Sequence, residues 1–153
     1  MPAALPLWPV LVALQIFHLL FLLLHDWVPL GNLNNVSAFQ KSTTAPQKVL
    51  SLLVPSIPVI IGLGFMLRSA AHAPSISFRI ALSAVYGFLF LGELEAWWIP
   101  YVFGTGEERV ARYRTLFAGT HSFLPSRHGI TPNTLHVALH AATLATLILI
   151  WIV

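Results

Sequence analysis

Four apolar stretches, near residues 6–25, 49–67, 79–100 and 132–153, take up most of this chain. Each approaches the ~20 residues that a helix needs to cross a hydrocarbon core. Within lipid a backbone must satisfy its own hydrogen bonds, so stretches of this kind cross as helices. The expectation is an all-α, integral membrane four-helix bundle, a single transmembrane domain over residues 1–153. Only 8% of the residues are charged, against about 25% in a typical soluble domain, which argues against a soluble globule. There is no cysteine, so disulfide scaffolds, thiolate metal sites and thiol nucleophiles are excluded.

The first stretch has no basic segment before it and no clear A-x-A site, so it is expected to be a retained span rather than a signal peptide. It enters after Pro6 or Pro9 and breaks at Pro29 and Gly31. The second carries Pro55 and Pro58, which remove ladder donors and are expected to kink it. The third ends in an aromatic-rich segment around Trp97, Trp98 and Tyr101 that looks like an interfacial belt. The loop over 104–131 is the longest polar segment. Within it Val110, Tyr113, Leu116 and Phe117 share one helical face, which predicts a short interfacial helix. Thr131 and Pro132 read as an N-cap and first helical residue for the last span.

Loops 1 and 3 carry Lys41, Lys48, Arg109, Arg112, Arg114 and Arg127, whereas loop 2 carries Arg68 and Arg79. The positive-inside rule therefore predicts a multi-pass protein with loops 1 and 3 in the cytoplasm and both termini outside. The sequon at Asn35 would then be irrelevant. Most of the +3 net charge comes from loop 3, so it speaks to the lipid bilayer as partner and not to nucleic acid. His72, in the second loop, is expected to be an ordinary loop residue.

Against this apolar background His18, His25, Asp26, Glu93, His136 and His140 are costly to bury, and such groups usually face a bundle interior. Helical rise places His18, Glu93 and His140 each about 10–12 Å from the same membrane face. His25, Trp97, Asn133 and His136 form a shallower layer. His18 and His25 share a face, as do His136, His140 and Thr143. Tyr86, Glu93 and Trp97 share another, and Glu95 is rotated ~200° from Glu93. Glu93 is therefore expected to point inward, with Glu95 reaching water or a loop arginine.

Three chemistries follow. A glutamate desolvated at this depth suits acid/base work on a lipid-like substrate, with His18 and His140 as catalytic partners. His136, His140 and His18 are chemically able to ligate a divalent transition metal such as zinc or iron. Haem between two histidines ranks behind that. Tyr86, Trp97, Trp98 and Asn133 are expected to line the ligand site, and Asp26 to orient a histidine together with His25. Arg112, Arg114, Arg127 and His121 would cap it, attracting anionic headgroups or a ligand's phosphate or carboxylate.

Residues 107–112 have the form E-E-x-x-x-R and residues 117–121 the form F-x-x-x-H. Together they resemble the signature of the membrane-embedded prenyl-protein endopeptidases. In that family the two motifs lie on separate membrane helices, whereas here they share one polar loop, so the chain is not placed there. The leading expectation is a membrane-embedded enzyme acting on a hydrophobic or amphiphilic small molecule. The alternatives are a non-enzymatic binder or carrier of a lipophilic ligand, metal ion or protons, and a small structural subunit of a membrane complex. Oligomerisation is compatible with all three.

Overall fold

The computed structural model describes residues 7–68 and 75–153; Pro6 and His72 lie outside these. The described chain is helical: α1 Leu7–Leu24, α2 Val36–Ser42, α3 Ala45–Arg68, α4 Ile76–Glu93, α5 Ile99–Phe103, α6 Glu107–Leu116 and α7 Thr134–Ile152. A π-turn over Leu94–Trp98 joins α4 to α5. No strand occurs among the described residues, where one isolated bridge pairs Arg127 with Ile130. Four helices are long and apolar enough to cross a membrane: α1, α3, α7 and the continuous rod from Ile76 to Phe103.

Local chemistry sets the helix ends. Ser75 caps α4 by accepting from the Phe78 amide at 3.2 Å. Asn133 caps α7 through the His136 amide at 3.0 Å. This corrects the expected start at Thr131 and Pro132, because an Asn side chain satisfies an orphan amide that Pro132 cannot cap. α3 runs through Pro55 and Pro58 without ending. Loop 1 contains α2, whose Asn35 cap accepts from the Ala38 amide at 3.0 Å.

The π-turn has an identifiable cause and a consequence. Ile99 donates to the Leu94 carbonyl, five residues back, and Pro100 has no amide to offer the carbonyls behind it. Those carbonyls are taken up by α6: Arg109 donates to Glu95 O at 3.3 Å, and the Tyr113 hydroxyl donates to Ala96 O. The third loop's helix is thereby fastened to the bend. Gly129, at φ +77°, lies under it, where an added Cβ would stand 2.7 Å from Val110 Cγ1.

Loops 1 and 3 are knitted together at one end of the bundle. His121 N donates to Asn32 O at 2.6 Å, Asn35 Nδ2 to Ala118 O at 3.0 Å, and Asn133 Nδ2 to Leu33 O at 3.2 Å. At the other end Arg79 donates to the terminal carbonyls of α7 at Ile150 and Val153, a favourable place for a cation.

α1 packs on α3 and α7, and α4 packs on α7, whereas α3 touches α4 only briefly. The core gathers Leu11, Val59, Met66, Leu82, Tyr86 and Ile150. Outward faces carry exposed Leu50, Val54, Ile61, Phe65, Phe88 and Leu91. So much contiguous exposed apolar surface needs an apolar surrounding or a partner.

Candidate functional site

The brief contact between α3 and α4 leaves a cavity of about 680 Å³ among the four long helices. Pro55, Pro58 and Val59 of α3 form one wall, and Val85, Phe88, Leu89 and Gly92 of α4 the other. Its polar end is built by Glu93, His136, His140, His25 and Asp26, with Phe21 and Trp97 beside them. The volume falls within the ~300–1,000 Å³ usual for small-molecule sites.

Glu93 is 6% exposed. Its Oε1 lies 2.7 Å from Thr143 Oγ1 on α7, and its Oε2 is buried with no hydrogen-bond partner. Behind Thr143 stands His18 on α1, with Nε2 3.1 Å from the same hydroxyl and Nδ1 2.6 Å from Leu14 O. A carbonyl accepts only, so His18 Nδ1 carries a proton.

With the Thr143 hydroxyl proton kept in this row, and not given to the Leu139 carbonyl 3.1 Å away, two proton assignments fit. In one, the Glu93 carboxyl donates to Thr143, which donates to a neutral His18. In the other, an imidazolium donates to Thr143, which donates to a carboxylate. They differ by one proton passed from Glu93 to His18 through the hydroxyl, so the row can hold or release a proton without moving a heavy atom. Tyr86 packs edge-on against His18 with ring centroids 5.0 Å apart and donates to Gln15 Oε1 at 2.6 Å.

His140 belongs to a different contact. Trp98 Nε1 donates to His140 Nδ1 at 3.0 Å, so a neutral His140 carries its proton on Nε2. His136 Nδ1 faces Asn133 Oδ1 at 2.7 Å. That oxygen also accepts from the His136 amide, so the ring donates there and keeps its lone pair on Nε2. Aromatic rings enclose His136, with centroids of Trp97 at 4.8 Å, Phe117 at 5.3 Å and Phe21 at 5.7 Å. His25 Nδ1 donates to Phe21 O at 2.8 Å, and His25 Nε2 is 3.3 Å from Asp26 Oδ1. Burial raises the Asp26 carboxyl above the usual range, and His25 beside it opposes that shift.

Several expected site residues stand elsewhere. Tyr86 is fully buried and is absent from the cavity wall, because its hydroxyl is drawn to Gln15. Trp98 reaches the site only through His140. Asn133 lines a separate 180 Å³ recess under loops 1 and 3, which shares His25, Asp26 and His136 with the larger cavity. None of Arg112, Arg114, Arg127 and His121 lines the larger cavity. Arg112 and Arg114 border recesses around α6, Arg127 stacks on Tyr101 at 5.6 Å, and His121 pairs with Thr134 Oγ1 at 2.7 Å. Fastening α6 to the π-turn holds Arg112 and Arg114 away from the cavity.

The expected metal-ligand trio His18, His136 and His140 is not assembled. Among the described residues no three His, Asp or Glu side chains are placed to hold one ion. His18 has both nitrogens engaged, so it is poorly suited to a metal or a haem iron. Glu95, the neighbour of the buried acid, pairs with Arg109 at 2.7 Å on the exterior.

Thr143 and Gln15 are the site residues that sequence reasoning missed. Both signals were present, since Thr143 continues the His136 and His140 stripe and Gln15 is one turn from His18 on α1. Comparison with known protein families, curated proteins and solved structures finds no match.

Proposed function

We propose that this chain is a multi-pass membrane protein, with loops 1 and 3 cytoplasmic and both termini outside, that acts on an amphiphilic small molecule held in the 680 Å³ cavity. Glu93 is the acid/base of that chemistry. Thr143 and His18 are the positioning pair that supply or store its proton, and His140 stands beside it at the polar end of the cavity. The membrane assignment rests on four long apolar helices and an apolar exterior. The orientation rests on six Lys/Arg in loops 1 and 3 against two in loop 2.

One observation carries the functional reading. Glu93 has one oxygen held by Thr143 and the other buried without a partner, at the polar end of a largely apolar cavity. A buried carboxyl oxygen left unpaired costs free energy, and a guest that bonds to it would remove that cost.

The test is to purify the protein in mild detergent, extract it with organic solvent and identify co-purifying molecules by mass spectrometry. The preparation is then incubated in D2O. Wild type is expected to retain an amphiphile and to exchange deuterium into a carbon-bound position, and Glu93→Gln to lose the exchange. Retention without exchange in wild type would reduce the protein to a binder. An empty cavity, with Glu93→Gln indistinguishable from wild type, would overturn the reading.

A further inference from the structure

We infer that the guest of this cavity is a single-chain amphiphile with an amine headgroup, a conclusion that rests on the proposed host role and adds the ligand's chemistry. The argument is an inventory of donors and acceptors. No Lys or Arg lines the cavity, although two carboxyl groups, Glu93 and Asp26, do. Glu93 Oε2 is unpartnered and Glu93 itself is more than nine-tenths buried. His136 presents a lone pair on Nε2, since its Nδ1 proton goes to Asn133.

The proline wall adds acceptors of its own. Pro55 and Pro58 lack the amides that would have served the carbonyls four residues back, at Ser51 and Val54, and both of those residues line the same cavity. Against this set of acceptors the lining offers fewer donors: His140 Nε2, whose partner nitrogen accepts from Trp98, and the Trp97 indole N–H, the Ser51 hydroxyl being given to Lys48 O.

An ammonium group is three donors with no acceptor and one positive charge. It complements two carboxyls in an apolar setting, where a buried charge needs a partner. A phosphate or carboxylate headgroup would meet acceptors and like charge, with no cation to receive it. The apolar walls of Phe88, Leu89 and Val59 suit a hydrocarbon chain. The arginines behind the sequence-based expectation of an anionic headgroup lie elsewhere, Arg112 and Arg114 in other recesses and Arg127 on Tyr101.

The experiment uses the full chain in discs of uncharged-net phosphatidylcholine at neutral pH, with dodecylamine, dodecanol and dodecanoate as probes and native mass spectrometry as readout. Dodecylamine is expected to bind at least about tenfold more tightly than dodecanoate, the worth of one charge-assisted hydrogen bond. Glu93→Gln is expected to shrink that preference while leaving dodecanol binding in place. A cavity-filling control is Gly92→Leu: Gly92 lines the cavity, and an added Cβ there meets nothing within 4 Å. Equal or stronger binding of dodecanoate, still blocked by Gly92→Leu, would overturn the amine headgroup and leave the host role standing. Binding of all three that Gly92→Leu does not reduce, or no binding of any, would overturn both.

Discussion

Replacing Thr143 by valine removes one hydroxyl and keeps the side chain's shape. That hydroxyl serves Glu93 Oε1 at 2.7 Å and His18 Nε2 at 3.1 Å, in a position with no solvent exposure. Two buried polar groups would lose their partner together. Orphaning a buried group costs about 1–3 kcal/mol, and interhelical hydrogen bonds within membranes are weaker, averaging about 0.6 kcal/mol. The expected loss for Thr143→Val is therefore about 1–4 kcal/mol. Thr143→Ser keeps the hydroxyl and deletes one methyl group, a change worth about 0.8 kcal/mol. Thermal unfolding in one detergent, followed by tryptophan fluorescence, ranks the variants. Valine should be clearly the worse of the two, although it conserves volume. The double variant Thr143→Val/Glu93→Leu should recover part of the loss, because removing both partners is gentler than orphaning one. If valine equals or exceeds serine in stability, the hydroxyl does not bridge Glu93 and His18 and the proton row is wrong.

Other outcomes follow from the same geometry. Tyr113→Phe removes the donor to the carbonyl freed near Pro100 and should loosen α6, costing about 1–2 kcal/mol and accelerating protease cleavage in loop 3. Unchanged cleavage would show that the hydroxyl does not fasten the helix. Gly129→Ala places a Cβ 2.7 Å from Val110 at φ +77° and should cost about 1–3 kcal/mol by thermal melt, with wild-type stability counting against the packing described. For Asp26, burial holds the carboxyl above its ordinary range, so the folded state binds the proton more tightly than the unfolded state. Its contribution is full below the ordinary aspartate range and is lost as pH rises through the raised value. Melts of wild type against Asp26→Asn should therefore move in favour of wild type as pH falls from neutral, and a shift the other way would contradict the sign.

The helical plan was legible because apolar run length is a coarse signal that tolerates local exceptions. The stretches at 6–25 and 132–153 became Leu7–Leu24 and Thr134–Ile152, and Pro55 and Pro58 did not divide α3. Helical phase also separated Glu93 from Glu95, since half a turn decides which acid meets α7 and which meets Arg109. The π-turn was not legible, because it depends on how the carbonyls around Pro100 are satisfied by a helix distant in sequence. That turn then misled the site expectation by drawing α6 and its arginines aside. Level along the bundle suggested His140 as the partner of Glu93 and His18. The phase of α7 instead puts Thr143 between them and turns His140 towards Trp98.

The polar stripe of α7 bears on which of the proposed roles the bundle suits. Asn133, His136, His140, Thr143 and Thr146 succeed one another at helical spacing over about 20 Å, starting from the end where loops 1 and 3 meet. Beyond Thr146 the same side continues as Ile150, buried in one cluster with Leu11, Met66 and Leu82. A carrier that passed protons or ions from face to face would need a polar path through that cluster, where the one polar group among the described buried residues is the Tyr86 hydroxyl, already given to Gln15. A stripe that ends in an apolar plug fits the proposed host for an amphiphile better than a face-to-face carrier. Substituting Ile150 by a polar residue is the change that would test the plug. Ile150→Ser should destabilise the bundle by removing buried apolar contacts, by about 2 kcal/mol or more, without creating proton flux in sealed vesicles. Proton flux already present in wild-type vesicles would refute the plug directly.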